Sequence, residues 1–154
     1  MSASIKCFSL ALVLAAPMPS IAAGVPFDNC FTAAAQRYSV DKRMLVAIAQ
    51  TESRLNPAAI GPPNTNGSYD IGLMQINSGW LRSLAQHGIS QSDLKEACTN
   101  IHVGAWILAT NIQVHGPTWR AVGAYNARTP SKQLLYVSKV QRNYALIDAS
   151  FDYK

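Results

Sequence analysis

The chain has 154 residues, of which 49% are hydrophobic and 14% are charged. This length fits one ordinary domain and this composition can form a core, which excludes a multidomain machine and an intrinsically disordered protein. Thirteen basic residues against eight acidic ones give a net charge of +5. That balance favours anionic surroundings without identifying a partner. The three cysteines are an odd number for one domain, which indicates a free thiol or an intermolecular bond.

Residues 1–23 have the layout of a secretory signal peptide. Lys6 supplies a positive charge, an apolar run follows it, and small residues then allow cleavage after Ala22 or Ala23. The apolar run is too short to span a bilayer as a mature helix. We therefore predict an exported domain comprising residues 24–154, with no stable membrane span.

The cysteine count changes once the signal peptide is removed. Cys7 is lost, and Cys30 and Cys98 remain in a chain sent to an oxidising compartment. Pairing them is the default expectation, the alternative being two buried free thiols. A bond closing a loop of this size would contribute roughly 4 kcal/mol in the chain-entropy model.

Helical periodicity dominates the first half of the mature chain. Asp41 is a candidate N-cap for a helix that runs to about Ser53. Residues 61–67 are rich in Gly, Pro and Asn, which is typical of a loop. Residues 71–76 are short and apolar, and indicate a strand or an extended segment.

The second half also shows helical patterns. They predict a helix from about Ser78 to His87, a capped turn from Ser90 to Glu96, a helix capped by Thr99 or Asn100 and ended by Gly116, a helix from Thr118 to about Ala127, and a C-terminal helix over about 130–148. The predicted fold is mainly α, a compact helical domain with a central loop or small β element near residues 61–77.

Glu52 is the first candidate for chemistry. It follows Leu45 by seven residues and Ile48 by four, so it shares the apolar face of its helix. Desolvation there would raise the pKa of its carboxyl group, as a general acid requires. The alternative is a solvated glutamate in a frayed last turn, paired with Arg54.

Asp70 is the second candidate. Glycosidases commonly use two carboxyl groups, and the separation between them decides whether the second is a nucleophile or activates water. Asp70 comes eighteen residues after Glu52, across the predicted loop. It could equally be a turn or cap residue, which is common behaviour for Asp.

Three ordered motifs point to a family. The segments Gln50–Ser53, Gly72–Asn77 and Gly123–Ala127 resemble the motifs of the soluble lytic transglycosylase domain, and the resemblance covers about residues 29–128. In its small size, its signal peptide and its segment Asp70–Ser78, the chain most resembles the family members that serve envelope-spanning secretion systems, conjugation and pili.

The resemblance implies a lysozyme-like fold and cleavage of the β-1,4 bond between N-acetylmuramic acid and N-acetylglucosamine. Glu52 would act first as general acid on the leaving oxygen. It would then act as base on the muramoyl 6-hydroxyl, which attacks C1 and gives a 1,6-anhydromuramoyl end. The resemblance implies no cofactor.

The same matching assigns the other site residues. Tyr125 would contact and orient the Glu52 carboxyl group, Asn126 would lie beside it, and Ser53 would position the substrate. The residues expected to bind the glycan strand are Ser53, Met74, Gln75, Asn77, Tyr125 and Asn126.

The sequence departs from the family pattern at two positions. Arg128 stands where Gly usually follows the third motif, which puts the turn after Ala127 in doubt. Many members lack an acidic residue at the position of Asp70, so a lysozyme-type hydrolase using Glu52 and Asp70 is an alternative. A further alternative is a non-catalytic scaffold that binds peptidoglycan.

The remaining features give expectations about partners and location. Lys132, Lys139 and Arg142 on the C-terminal helix indicate a solvated basic face, or one that approaches anionic stem peptides or a partner. The three histidines are too scattered for a metal site. We expect a protein of the Gram-negative periplasm that binds glycan strands and a component of a secretion, conjugation or pilus apparatus, and binds no nucleic acid.

Overall fold

The structure is a computed structural model that describes residues 24–151, with side chains described as far as Ile147. The predicted signal peptide, residues 1–23, lies outside the described residues. Residues 24–151 include no helix that is both long enough and apolar enough to cross a membrane.

Six α-helices and one two-stranded hairpin make up the regular structure of residues 24–151, which confirms the mainly α prediction. The elements are α1 (Asp28–Tyr38), α2 (Lys42–Ser53), β1 (Asp70–Ile71), β2 (Ile76–Asn77), α3 (Leu81–Ala85), α4 (Ala97–His115), α5 (Trp119–Asn126) and α6 (Pro130–Phe151). Short 3₁₀ turns cover Ser78–Trp80 and Asp93–Lys95.

Helix α2 begins as the sequence predicts. The Asp41 carboxylate accepts a hydrogen bond of 2.8 Å from the backbone N–H of Arg43, which satisfies one of the free donors at the helix start. Leu45 and Ile48 are fully buried on the inner face of the helix. The cap and the apolar face together fix the direction in which α2 carries Glu52.

The predicted start of α4 is wrong. The helix begins at Ala97 with Glu96 as its N-cap, so neither Thr99 nor Asn100 caps it. Asn100 instead lies fully buried within the helix, where its side chain hydrogen-bonds to the backbone of three residues outside it. A buried amide must find such partners, and they hold the hairpin against α4.

The small β element predicted near residues 61–77 is present, but residues 71–76 are neither one strand nor extended. The chain reverses there, and β1 pairs antiparallel with β2 in the register Asp70 to Asn77 and Ile71 to Ile76. Gly72 allows the reversal because its φ is +75°, and a Cβ at this position would collide with the Asn100 amide and the Leu94 carbonyl.

The core lies between the helices, with α4 at its centre. Its fully or almost fully buried side chains come from several helices, and they include Phe31 of α1, Leu45 of α2, and Ile101 and Leu108 of α4. Helix α6 packs along α2 and α5. A Cys30–Cys98 disulfide joins α1 to the start of α4.

The turn after α5 does not need glycine. Ala127 leaves the helix in an extended conformation, with φ −142° and ψ 152°, and its N–H bonds to the Gly123 carbonyl. No left-handed residue is used, so Arg128 in place of the family's usual Gly imposes no backbone strain. Pro130 then opens α6, a position that proline favours.

Candidate active site

Glu52 lies in the last turn of α2, where the helix is ended by a left-handed residue. Arg54 has φ 57° and ψ 41°, and its N–H caps the carbonyls of Ala49 and Gln50. Leu55 also has a positive φ, of 63°. Two consecutive non-glycine residues in this region are uncommon, and they end the helix directly after the turn that carries Glu52.

The Glu52 carboxyl group is held by two side chains from the C-terminal part of the fold. The hydroxyl of Tyr136 on α6 donates a hydrogen bond of 2.7 Å to Oε1. The Asn126 side chain, at the end of α5, forms a second hydrogen bond to the same carboxyl group. Burial and the charge of Glu52 raise the pKa of Tyr136 well above its usual value, so this phenol remains a donor.

The environment raises the pKa of Glu52 from 4.5 to about 7. The largest cause is desolvation by burial, and the negative charge of Asp70 acts in the same direction. The hydrogen bonds from Tyr136 and Asn126 and the positive charge of Lys139 oppose the rise. A carboxyl group with such a pKa is half protonated near neutral pH and can both give and take a proton.

Asp70 is close enough to the site for its charge to act on Glu52 and on Tyr125. Its Oδ1 accepts a hydrogen bond of 2.8 Å from the Asn77 side chain, its cross-strand partner in the hairpin. Asp70 is therefore fixed by the hairpin and also lies within electrostatic reach of the general acid. The interpretation of Asp70 as a turn or cap residue is wrong, because it lies in β1, and its role as a second catalytic carboxylate stays a prediction.

A cleft of about 260 Å³ opens in front of Glu52. It lies between the end of α2 and the first three turns of α6, with Asn126 at its edge. The lining residues are Thr51, Glu52, Asn126, Lys132, Leu135, Tyr136 and Lys139. The basic residues of α6 are exposed, as predicted, but Lys132 and Lys139 face this cleft, which the sequence did not indicate.

The contact predicted for Tyr125 is wrong. Its hydroxyl donates a hydrogen bond of 2.9 Å to the backbone carbonyl of Met74, and Tyr136 occupies the position at the carboxyl group that Tyr125 was expected to take. The Met74 side chain is fully buried. The backbone N–H of Met74 donates a hydrogen bond of 2.6 Å to the side-chain oxygen of Asn100. Tyr125 and Met74 thus position the hairpin against the helices, while Glu52 acts electrostatically on Tyr125.

Three predicted glycan-binding residues are engaged within the protein. The Ser53 hydroxyl donates to the Leu73 carbonyl over 2.7 Å, which ties α2 to the hairpin. The Gln75 amide donates to the carbonyls of Gly72 and Ala59. The Asn77 amide donates to Ser68 and Asp70, and its oxygen accepts from Gly79. None of the three lines the cleft described above, so their direct role in binding glycan stays a prediction.

Tyr136 is the functional residue that the sequence analysis missed. It is 5% exposed and shares the buried stripe of α6 with Val140, four residues later. A buried tyrosine requires a partner for its hydroxyl, so the periodicity of α6 contained the signal. What the sequence could not supply was the packing of α6 across α2, which brings Tyr136 to a residue 84 positions earlier.

Residues 24–151 contain no group of three or more His, Cys, Asp and Glu side chains placed to hold a metal ion. The site instead consists of one desolvated carboxyl group with a raised pKa, a second carboxylate whose charge reaches it, and an open cleft between α2 and α6. These features define a lysozyme-like glycoside-cleaving enzyme.

The chain belongs to the transglycosylase SLT domain family, whose model matches residues 29–140. It is therefore a peptidoglycan lytic transglycosylase. Invasion protein IagB of Salmonella typhimurium is 41% identical over 121 residues, a match that covers 75% of each chain. Protein IpgF of Shigella flexneri is 37% identical over 126 residues, covering 79% of this chain and 82% of IpgF.

The fold is shared with a solved structure. An inactive mutant of the lytic transglycosylase Slt from Pseudomonas aeruginosa matches with a TM-score of 0.67 at 19% sequence identity. The match covers 83% of this chain but only a quarter of Slt. The likeness concerns the lysozyme-like fold.

Proposed function

We propose that this protein cleaves the β-1,4 bond between N-acetylmuramic acid and N-acetylglucosamine and leaves 1,6-anhydromuramoyl ends. The observation that carries the proposal is the Glu52 carboxyl group, whose pKa is raised to about 7 at the wall of an open cleft. The family supplies the class of substrate, and Glu52 supplies the acid that the bond cleavage needs.

The proposed reaction uses one carboxyl group twice. Protonated Glu52 donates its proton to the glycosidic oxygen as the bond from that oxygen to C1 breaks. The 6-hydroxyl of the same muramoyl residue then attacks C1 and gives its proton to the Glu52 carboxylate, which regenerates the acid. No water enters the product. An attached hydroxyl held near C1 has a high effective molarity, so a second carboxylate is not required to activate a nucleophile.

Tyr136 and Asn126 hold the acid in position for both steps. Their hydrogen bonds fix the Glu52 carboxyl group, and they favour its charged form, which limits how far burial raises its pKa. A general acid gains most when its pKa is near the working pH. The two hydrogen bonds therefore tune the proton donor as well as orient it.

A lysozyme-type hydrolysis is the second candidate, because the charge of Asp70 reaches Glu52. In that reaction Asp70 would activate water or stabilise the cation formed at C1. A non-catalytic scaffold that binds peptidoglycan is disfavoured, since pure binding does not require a desolvated acid with two positioning hydrogen bonds.

The proposed setting is the periplasm of a Gram-negative bacterium, where the enzyme would open the wall locally for a secretion, conjugation or pilus apparatus. The resemblance to transglycosylases of such systems supports this role. The Salmonella relative is named an invasion protein, which is compatible with a dedicated task. The predicted signal peptide provides the export route.

The test is a product analysis with a matched variant. Purified peptidoglycan is digested with residues 24–154 or with the same chain carrying Glu52→Gln, and the released fragments are identified by mass spectrometry. The proposal predicts anhydro ends with the wild type and no release with the variant. Reducing ends would support hydrolysis. Release by the variant at the wild-type rate, or none by either protein, would refute the role of Glu52.

A further inference from the structure

A second cavity lies beside the catalytic cleft and carries a concentrated positive charge. Its volume is about 280 Å³, and Arg54, Lys139 and Arg142 contribute three cationic groups to its lining. The other lining residues are Gln50, Thr51 and Asn143. Among the residues whose side chains the structure describes, no acidic residue lines this cavity, and the lining consists of cations and uncharged polar groups.

These cations are not explained by internal ion pairs. Among the side chains that the structure describes, as far as Ile147, Lys42 pairs with Asp28 and Arg43 with Asp41, and neither pair involves the cavity. Arg54 follows the C-terminus of α2, where a cation is favoured by the helix dipole. That reason does not apply to Lys139 and Arg142, which lie in the middle of α6. Grouping like charges costs energy unless an anion offsets it.

The basic cavity is continuous with the site of bond cleavage. Thr51 and Lys139 line both cavities. Thr51 is held rigidly between them, since its hydroxyl donates to the Ala47 carbonyl and accepts from the Asn143 side chain over 2.8 Å. Lys139 is also close enough to Glu52 for its charge to act on that carboxyl group. A ligand in the basic cavity would therefore lie next to the sugar undergoing cleavage.

We propose that this cavity is a subsite for a carboxylate of the peptide attached to the muramoyl residue being cleaved. The inference rests on the proposed function, because the peptide branches from the sugar that must lie against Glu52. Guanidinium groups suit carboxylates, to which they donate paired hydrogen bonds. The subsite selects strands whose peptides carry free carboxylates, and it aligns the muramoyl residue through its side branch.

The experiment compares two substrates that differ in charge. One is a soluble glycan tetrasaccharide carrying its peptides, and the other is the same compound with its peptide carboxylates converted to amides. The ratio of the two kcat/KM values is measured for the wild type, Arg54→Gln and Arg142→Gln. Lys95→Gln is the matched control, since Lys95 is exposed and lines neither cavity.

The wild type is expected to prefer the charged substrate about three- to fivefold, the range of a partly exposed ion pair. Either arginine variant moves the ratio of the two kcat/KM values towards one, and added salt also reduces this ratio. The Lys95→Gln control keeps the wild-type ratio. Activity without a charge preference, an unchanged ratio in both arginine variants, or an equal loss in Lys95→Gln would overturn the subsite while leaving the proposed function intact. Cleavage of neither substrate by the wild type would refute the proposed function, and the subsite with it.

Discussion

Replacing Glu52 with glutamine should stabilise the fold at alkaline pH while it abolishes catalysis. The folded state raises the pKa of this carboxyl group from 4.5 to about 7, so between these values the folded chain holds a proton that the unfolded chain releases. The resulting stabilisation is complete below about pH 4.5 and is lost as the pH rises through about 7. Above that range, the wild type must bury a charge.

The magnitude follows from the shift. Each pH unit of difference corresponds to about 1.4 kcal/mol, so the rise to about 7 gives about 3 kcal/mol. The amide side chain of the Glu52→Gln variant would keep an oxygen that can accept the Tyr136 hydrogen bond but would carry no charge. The free energy of unfolding of the variant, relative to wild type, should therefore increase by about 3 kcal/mol between pH 4 and pH 8, or roughly 10 °C in Tm.

The assay is urea unfolding of residues 24–154 at a series of pH values, with both proteins measured in the same buffers. Glu96→Gln is the control, because Glu96 is exposed at the start of α4 and its replacement should bring no comparable gain above pH 7. A difference between wild type and Glu52→Gln that does not change with pH would refute the argument that burial raises this pKa.

Three further predictions concern the tuning of the acid, the hairpin and the disulfide. Tyr136→Phe removes a hydrogen bond that lowers the pKa of the Glu52 carboxyl group, so the alkaline limb of the pH–kcat/KM profile should move to higher pH. Asp70→Asn removes a charge that raises this pKa, so it should move the same limb to lower pH. Gly104→Ala places a Cβ 2.8 Å from the side chain of Met74. The substitution should therefore lower the free energy of unfolding, measured with urea, by about 1–3 kcal/mol. Replacing Cys30 and Cys98 together by Ala should cost about 4 kcal/mol in the same assay.

Each of these predictions has a contradicting result. Shifts of the alkaline limb in the same direction for the Tyr136 and Asp70 variants would mean that another group sets the limb. Wild-type stability of Gly104→Ala would show that the hairpin does not pack against α4 as described. Wild-type stability of the double cysteine variant would show that the bond adds nothing to the folded state.

The sequence was most informative where the signal is local. The cap at Asp41, the end of α2 near Ser53 and the opening of α6 at Pro130 follow from residue types within one helical turn. The apolar spacing that places Glu52 on an inward face is equally local, and it led to the desolvated acid. The family motifs then supplied the class of enzyme.

The errors arose where a residue's partner is distant in sequence. Asn100 is a residue type that often caps helices. It is instead buried in α4, because its amide hydrogen-bonds to the backbone of the hairpin, 26 to 29 positions earlier. Tyr125 and Tyr136 are both tyrosines near the acid, and only the packing of α6 decides which one touches it. Residue type alone cannot distinguish between such tertiary partners.

The most direct test of the central claim is digestion of peptidoglycan in water enriched in ¹⁸O. If the muramoyl 6-hydroxyl is the nucleophile and Glu52 serves as acid and then base, the new ends are anhydro sugars without the label, and Glu52→Gln releases none. Reducing ends labelled with ¹⁸O at C1 from the start of the reaction would contradict this account, because water would then be the nucleophile.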